Sequence, residues 1–402
     1  MFNTLPPAGI PFGWRFVFSA AADKHGEFSR AIEDMLGGKT SLTMSGKAAL
    51  YLILRAMHRL RPERNEVIIP DYTCWTVPAV VVRADLRVKA ADISLVNYGL
   101  SPKAVARVVS DKTLAVVATH LFGIPSNIDS IEDTCRDQGL FLIDDSAQAL
   151  GASLNGRLMG SYGDAALLSF GRGKCITTVH GGAAVIHNES VQSQVEDVLE
   201  REFQPADSSP LRDMLELGVY KAFFSRHLFW LPDNLPFLGL GETVYDTSFL
   251  LSRMTEARAG RGTEIITNLK SINDIRNSKA QTYMELLGDN QDLTLPAKAD
   301  FTSAACLRFP LLMPDREAAT KAGELGHHLG ISRMYPGTVS TIPALCANLA
   351  DGSPGNVNAT MVAERLITLP THHGVDSNDM ERIADLLNMI IANNRSSRVT
   401  EK

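Results

Sequence analysis

The sequence has few cysteines, and they are not arranged in pairs. Its 402 residues include five cysteines, and none of them belongs to a C-x-x-C motif. A disulfide framework uses an even and regularly spaced set of cysteines, and a structural zinc site uses ligands at short spacing. The sequence therefore predicts reduced thiols and no metal site.

Runs of basic residues are also missing. The 39 Lys and Arg residues are outnumbered by 45 Asp and Glu residues, which gives a formal net charge of -6. A chain of this charge has no general attraction for polyanions. Nucleic acid is therefore not an expected partner.

No segment reaches the roughly 18 continuous apolar residues that a membrane span requires. The nearest approach is the stretch from Leu217 to Leu240, which Lys221, Arg226 and Pro232 interrupt. This stretch predicts a buried or dimer-interface helix, with contact to lipid or to a hydrophobic substrate tail as the less favoured alternative. Residues 1–14 lack a basic segment followed by an apolar one, so they do not resemble a secretory signal and a cytoplasmic location is expected.

What is present is the composition of an ordinary globular protein, with 45% hydrophobic residues and a mean hydropathy of -0.01. A single core stops growing at roughly 250–300 residues, so the length predicts two domains. We place the boundary near residue 260, which divides the chain into residues 1–260 and 261–402.

Short apolar runs alternate with helical patterns through the first half of the chain. Such alternation is typical of βαβ units and predicts an α/β fold around a mostly parallel sheet. The predicted strands are 66–70, 88–93, 114–119, 140–144, 165–170 and 182–187, and the predicted crossover helices lie at 80–84, 102–109 and 128–137. In the second half we predict a long helical stretch over 253–287, a strand at 306–313 and helices at 316–329 and 377–393.

Two acids stand at the end of one predicted strand. Asp144 and Asp145 follow an apolar run, and Gln148 lies three residues beyond the second acid. Ligands of open α/β sheets bind at the carboxyl ends of strands, so Asp145 and Gln148 are candidates for a shared crevice. Taken alone, the same residues are equally consistent with an acid that caps a helix starting at Ser146.

Lys174 lies just beyond the end of another predicted strand, in the sequence Gly171-Arg172-Gly173-Lys174. A lysine in a glycine-lined and partly desolvated turn can act as a nucleophilic amine, although most lysines are solvated surface charges. The segment does not match the P-loop pattern of nucleotide-binding proteins.

A third signal is Ser45, which precedes a helical pattern that begins with Gly46, Lys47 and Ala48. Ser45 is a suitable N-cap, and the exposed amides of a helix start form an anion site suited to phosphate. An anion site, a strand-end acid and a strand-end lysine together match the needs of a pyridinium cofactor.

These pieces occur in an order that resembles the DegT/DnrJ/EryC1/StrS family of sugar aminotransferases. The segments that carry the resemblance are SGKAAL (45–50), EVIIPDYTCWTVPAVV (66–81), THLFGIPSNID (119–129), LIDDSAQALGA (142–152), GSYGDAALLSFGRGK (160–174), HGGAAV (180–185) and AERLITLPTHHGVDSNDMERIADLL (363–387). The resemblance implies pyridoxal 5'-phosphate as cofactor, the fold type I architecture with a large domain and a smaller α+β C-terminal domain, and a homodimer with shared active sites. It also implies transfer of an amino group from glutamate or glutamine to a keto-sugar that is carried on a nucleotide.

Carried over by position, the resemblance makes Lys174 the lysine that binds the cofactor's aldehyde and Asp145 the partner of its ring nitrogen. Gln148 would lie near the phenolic oxygen of the cofactor. Ser169 and the helix start formed by Gly46, Lys47 and Ala48 would hold the phosphate.

The sequence departs from the family's pattern at several positions. Cys74 stands where the family has an aromatic residue that stacks on the cofactor ring, so Trp75 is a candidate for that contact, with a core tryptophan as the alternative. Leu251 replaces the asparagine of a motif that reaches the partner subunit's phosphate, whereas Arg253 keeps its arginine. His180 replaces a common glutamate, and Lys47 a common threonine.

His120, His180 and Tyr335 are candidates for contacts with the substrate, although a structural role is favoured for His120. Members of the family with histidine at the position of Lys174 are sugar dehydratases, and the lysine present here favours transamination. A pyridoxal-dependent dehydratase or lyase is the second hypothesis, and a non-catalytic regulatory protein on the same fold is the third.

Overall fold

The computed structural model describes residues 4–9, 12–18, 25–205, 209–234, 243–297, 303–350 and 355–400. Its helices are α1 (Trp14–Phe18), α2 (His25–Leu36), α3 (Gly46–Leu60), α4 (Thr76–Arg83), α5 (Pro102–Val108), α6 (Ile128–Asp137), α7 (Glu189–Glu202), α8 (Pro210–Phe223), α9 (Trp230–Asp233), α10 (Glu256–Ile266), α11 (Leu269–Leu287), α12 (Arg316–Leu325), α13 (Val357–Arg365) and α14 (Ser377–Thr400). Its strands are β1 (Lys39–Thr43), β2 (Glu66–Pro70), β3 (Arg87–Ala91), β4 (Thr113–Thr119), β5 (Phe141–Asp145), β6 (Ser153–Leu154), β7 (Arg157–Leu158), β8 (Ala165–Ser169), β9 (Gly182–Ile186), β10 (Arg308–Leu312) and β11 (Leu366–Pro370).

Within these residues a seven-stranded sheet has the order β1-β9-β8-β5-β4-β2-β3. Strands β3, β2, β4, β5 and β8 pair in parallel, and β9 runs antiparallel to both β8 and β1. All seven residues of β4 are buried, as expected for a strand covered by helices on both faces. The α/β fold predicted from the sequence is confirmed.

The first long helix shows how the local sequence sets an element's start. Ser45 has an extended backbone, and its side-chain oxygen accepts a hydrogen bond from the amide of Ala48, so Ser45 is the N-cap of α3. The apolar face of α3 then packs against β8 and β9 of the sheet. This packing fixes the start of α3 beside the carboxyl end of β8.

The C-terminal part of the chain has a second sheet, formed by β10 and β11 in antiparallel pairing. Its core includes residues of α11, α12, α13 and α14, together with Tyr72 and Phe122 from the N-terminal part. The boundary expected near residue 260 falls inside α10 and stays a prediction.

The long helix predicted over 253–287 was wrong as a single element, because α10 ends at Ile266 and α11 begins at Leu269. The hydroxyl of Thr267 donates to the carbonyl of Glu264, and the amide of Asn268 bonds to the carbonyl of Ile265. Thr side chains compete for backbone groups in this way, and the i to i−3 bonds of Thr267 and Asn268 interrupt the helix.

The apolar stretch from Leu217 to Leu240 is likewise not one helix. Its beginning belongs to α8, then α9 follows, and residues 235–240 lie outside the described part of the chain. On α8, Leu217 is fully buried and Tyr220 nearly so, whereas Leu215 is 65% exposed. Among the described residues, no helix combines the length and the apolarity that crossing a bilayer would demand.

Candidate active site

The carboxyl ends of β5 and β8 meet at one edge of the sheet. Asp145 is the last residue of β5 and pairs in register with Leu167, two residues before the end of β8 at Ser169. A cavity of about 260 Å³ opens there, and we call it the strand-end cavity. Among the residues predicted from the sequence, it is lined by Gly46, Lys47, Asp145, Gln148, Ser169, Lys174 and His180.

Asp145 supplies the carboxylate of this cavity. It is only 3% exposed, and it accepts hydrogen bonds from the Thr119 hydroxyl at 3.3 Å and from the Ala147 amide at 3.2 Å. Burial raises the pKa of Asp145, while the positive charge of Lys174 acts in the opposite direction. A cationic group placed in the cavity would therefore stabilise the ionised form of this carboxyl.

The neighbouring Asp144 points to the other face of β5 and has a different environment. Its Oδ1 accepts from Ser146 Oγ at 2.5 Å and lies 3.0 Å from His120 Nε2, and its Oδ2 accepts from the Gly160 amide at 2.6 Å. The Ser126 amide donates to His120 Nδ1 at 3.0 Å, so Nε2 carries the proton that Asp144 accepts. We refer to His120, Ser126, Asp144, Ser146 and Gly160 as the His120 cluster.

His120 was a candidate for a substrate contact, with a structural role favoured. His120 is fully buried, both of its ring nitrogens are used, and it is not among the described residues that line the strand-end cavity. Its contacts join Asp144 of β5 to the segment that follows β4, which contains Ser126.

The anion-binding end of the cavity is built by close approach of three backbone segments. A Cβ atom on Gly46 would lie 3.0 Å from the Cβ of Ser169, and one on Gly182 would lie 2.5 Å from the Gly46 nitrogen. Only glycine allows α3, β8 and β9 to come this close. The start of α3 and Ser169 therefore form one wall, with Lys47 beside it.

Ala48 does not contribute as predicted. Its amide hydrogen is already bonded to the Ser45 side chain at 3.1 Å, and the residue is fully buried. The capping bond uses this donor. An anion at the helix start would therefore be bound by the amides of the residues before Ala48 and not by the amide of Ala48.

Lys174 lies in the connection between β8 and β9, after Gly173 with a φ of +70°. Arg276 of α11 donates to the carbonyls of Lys174 at 3.3 Å and of Cys175 at 3.1 Å. These bonds hold the backbone of the segment, and Lys174 lines the cavity.

Gln148 and Tyr335 form a contact that the sequence did not predict. Gln148 lines the cavity, and its Nε2 donates to the Tyr335 hydroxyl at 3.0 Å. Tyr335 is only 4% exposed and is not among the described lining residues. Tyr335 therefore reaches the cavity wall through Gln148, and a contact between Tyr335 and the substrate stays a prediction.

Trp75 and Arg253, which the resemblance brought to the cofactor, are not among the described residues that line the cavity. The Trp75 indole N–H donates to the carbonyl of Gly337 at 3.3 Å, and it is Cys74 that reaches the cavity. Arg253 forms an ion pair with Glu196 at 3.0 Å. Stacking by Trp75 is not supported within one chain.

His180 does line the cavity, and a buried arginine network stands behind it. Its Nε2 lies 3.9 Å from Glu216, which pairs with Arg258 at 2.5 Å. Burial lowers the pKa of His180, and the charges of Arg258 and Arg172 lower it further.

Sequence reasoning missed Thr73 and Thr119. Thr73 is fully buried and lines the cavity, and its hydroxyl has no hydrogen-bond partner within the described residues. Thr73 lies three residues beyond the end of β2, so the rule that strand ends carry ligand contacts could have found it. Buried polar atoms are rarely left unpaired, so the unpartnered hydroxyl of a residue that lines the cavity makes Thr73 a candidate ligand contact.

No group of three or more His, Cys, Asp or Glu residues in the described part of the chain is placed to hold a metal ion. The five cysteines, all of which lie in the described part of the chain, form no disulfide bond. The polar groups that line the strand-end cavity are a carboxyl group, an amine, hydroxyls, an amide, an imidazole and a helix start. They include those of Asp145, Lys174, Ser169, Gln148 and His180.

The fold and the cavity define an α/β protein of the fold type I class. The model of the DegT/DnrJ/EryC1/StrS aminotransferase family matches residues 18–388. The chain belongs to this family.

Curated relatives include GDP-perosamine synthase of Vibrio cholerae, which is 32% identical over 165 residues, or 41% of this chain and 44% of that protein. Another is the UDP-N-acetyl-3-dehydro-alpha-D-glucosamine 3-aminotransferase of Acidithiobacillus ferrooxidans, 30% identical over 40% of this chain and 44% of that protein. The matched region thus spans less than half the length of these relatives.

Among solved structures, DesI in the presence of its TDP-sugar product has a TM-score of 0.76 and 20% identity, with 100% of this chain and 96% of that chain covered. The Escherichia coli GDP-4-keto-6-deoxy-D-mannose-3-dehydratase with bound hydrated PLP has a TM-score of 0.75 and 14% identity, with 96% and 100% covered. These likenesses show a shared fold, which confirms the fold type I architecture expected from the sequence.

Proposed function

We propose that the protein is a pyridoxal 5'-phosphate-dependent aminotransferase that moves an amino group from glutamate or glutamine to a keto-sugar carried on a nucleotide. The product would be an amino-sugar for a surface polysaccharide or a secondary metabolite. The observation that carries the proposal is that Asp145 and Lys174 line the same cavity as the helix start at Gly46. Family membership and the named relatives support the same activity.

The residues fit the cofactor at each of its polar ends. The crowded cradle of Gly46 and Ser169 suits a phosphate, because helix-start amides and a hydroxyl donate hydrogen bonds to it. The carboxylate of Asp145 suits a protonated ring nitrogen, and the amine of Lys174 suits an aldehyde. Thr73, which lines the same cavity and whose hydroxyl has no partner among the described residues, is a candidate for a further contact.

Bound there, pyridoxal phosphate supplies an electron-accepting ring that stabilises negative charge at the carbon which carries the amino group. Asp145 as an anion keeps the ring nitrogen protonated, since an opposite charge at short range favours the charged form. Lys174, once its amine is free, is placed to take a proton from the substrate carbon and to return it at the cofactor carbon. Gln148 would contact the phenolic oxygen of the ring through its amide.

We further propose that the enzyme is a cytoplasmic homodimer. In such a dimer, Arg253 would reach the cofactor phosphate of the partner subunit after leaving Glu196. The exposure of the Arg253 side chain at 42% supports a contact outside the single chain.

The dehydratase hypothesis stays as a second candidate because dehydratases of known structure share the fold. The lysine at position 174 favours transamination. The two activities differ in product. A transaminase forms an amino-sugar and consumes one molecule of the amino-acid donor for each, whereas a dehydratase removes water from the sugar.

Borohydride reduction of the holoprotein, followed by peptide mapping, tests the cofactor assignment. We expect the cofactor to be fixed on Lys174 and absent from Lys174→Ala, with Lys89→Ala as a control that leaves the labelling of Lys174 intact. Amine transfer from labelled glutamate to a panel of keto-sugar nucleotides then tests the reaction. An unlabelled peptide around residue 174 would overturn the proposal.

A further inference from the structure

The side-chain amide of Gln148 is held by two hydrogen bonds, one at its oxygen and one at its nitrogen. Its Oε1 accepts a hydrogen bond from the Phe122 amide at 3.0 Å, and its Nε2 donates to the Tyr335 hydroxyl at 3.0 Å. A side-chain amide has two N–H groups, so one Nε2 hydrogen is left after these contacts. Because Gln148 lines the strand-end cavity, the direction of this remaining donor depends on both partners.

The Phe122 side of this arrangement is under backbone strain. Phe122 has a φ of 62°, a conformation that costs a non-glycine residue free energy and that persists where surrounding structure enforces it. The ring of Phe122 packs edge-on against Tyr98 with centroids 5.5 Å apart, which helps to enforce it. The strained turn aims its amide at the Gln148 oxygen and thereby fixes which end of the amide faces Tyr335.

The Tyr335 side is equally constrained. Tyr335 belongs to the C-terminal half of the chain, its amide donates to the Tyr72 hydroxyl at 3.4 Å, and the two rings lie 5.3 Å apart. Burial raises the pKa of Tyr335 well above its usual value, so the hydroxyl stays neutral at working pH. A neutral and immobile hydroxyl is a fixed acceptor for Gln148.

We infer that Tyr335 is a positioning residue, whose hydroxyl orients the amide of Gln148 so that its free N–H points into the strand-end cavity at the cofactor's ring oxygen. The inference rests on the proposed function for the identity of the ligand. The orientation of Gln148 itself does not depend on a bound cofactor.

The decisive variant is Tyr335→Phe, which removes one oxygen atom and keeps the ring. A donated hydrogen bond stabilises negative charge on the ring oxygen, so its loss should raise the pH midpoint of the cofactor's visible absorption by about half a pH unit to one pH unit. We expect kcat to fall about tenfold and KM to stay within about twofold, because the contact sets geometry rather than substrate affinity.

The matched control is Tyr283→Phe. Tyr283 is also a fully buried tyrosine of the C-terminal half, and its hydroxyl donates to the carbonyl of Pro370 at 3.1 Å. Loss of this hydrogen bond should lower the thermal stability of the protein and leave the pH midpoint of the cofactor's visible absorption unchanged. A merely structural role for Tyr335 predicts the same behaviour for both variants, and that result would overturn the inference.

Two further measurements separate this inference from the proposed function. In a Gln148→Leu background, Tyr335→Phe should have no additional effect on the pH midpoint, and an undiminished shift would contradict the inference. In cofactor-free protein labelled with nitrogen-15 glutamine, Tyr335→Phe should change the side-chain amide signals of Gln148. Unchanged amide signals would refute the positioning role even if no cofactor is bound, whereas failure of the cofactor assignment would appear as a missing visible band in the unaltered protein.

Discussion

The two faces of β5 at its carboxyl end differ in how fully their polar groups are used. On one face, the His120 cluster gives Asp144 three short contacts and satisfies both nitrogens of His120. On the other face, Asp145 accepts only two longer bonds, of 3.3 and 3.2 Å, and the hydroxyl of nearby Thr73 has no partner in the described structure. The two adjacent acids of β5 thus have different roles. The face with unused hydrogen-bonding capacity is the one that can bind a ligand.

The largest effect that tests this comparison is expected for Asp145→Asn. The amide keeps the shape but not the charge that would hold a ring nitrogen protonated, so kcat/KM should fall about 10³-fold, or about 4 kcal/mol. Steady-state kinetics with glutamate and a keto-sugar nucleotide measures the loss, and circular dichroism checks that the fold is kept. Activity within a few-fold of the unaltered enzyme would show that the carboxylate has no such role.

The complementary variant is Asp144→Asn, which should affect stability more than chemistry. The amide leaves the donors of His120, Ser146 and Gly160 with too few acceptors, and breaking such a buried cluster should cost about 3 kcal/mol of unfolding free energy. Urea denaturation measures the change. A variant as stable as the parent would mean that the two faces of β5 do not differ in the way described.

Crowding at the start of α3 gives a third test. Gly46→Val would press a side chain against Ser169 and fill the phosphate cradle, so cofactor affinity should weaken about tenfold or more. Equilibrium dialysis against pyridoxal phosphate measures the affinity. Gly355→Val is the control, because a side chain there meets nothing within 4 Å and should leave cofactor binding unchanged.

The smallest effect is expected for Arg253→Ala. Its ion pair with Glu196 is exposed and should contribute less than about 1 kcal/mol to stability. If Arg253 reaches the partner's phosphate, the dissociation constant for the cofactor should rise roughly threefold to tenfold, whereas Glu196→Gln should not raise it. Equal affinities in Arg253→Ala and the parent would remove Arg253 from the site.

Features that depend on neighbours along the chain were predictable. The strands predicted at 140–144 and 165–170 agree with β5 and β8 to within one residue at each end. The cap at Ser45 and the turn before Lys174 likewise follow from local patterns. Taken alone, the residues were equally consistent with a crevice shared by Asp145 and Gln148 and with an acid that caps a helix starting at Ser146, and the resemblance favoured Asp145.

Contacts between distant segments were not predictable. The Tyr335 hydroxyl accepts a hydrogen bond from Gln148, and the Trp75 indole donates to Gly337, because the C-terminal half packs on the strand ends. No spacing within one segment carries that information. His120 was a weak candidate for the substrate because a histidine after a strand has the same local signature whether or not its nitrogens are already used.

The contact between Gly182 and the start of α3 bears on how the protein is made. Gly46 and Gly182 are far apart in the chain, and they meet only after β9 has inserted between β1 and β8. A chain in which β9 has not yet inserted therefore lacks the phosphate-binding cradle at the start of α3. Capture of the coenzyme during refolding should therefore occur late, and its rate would report insertion of the antiparallel strand.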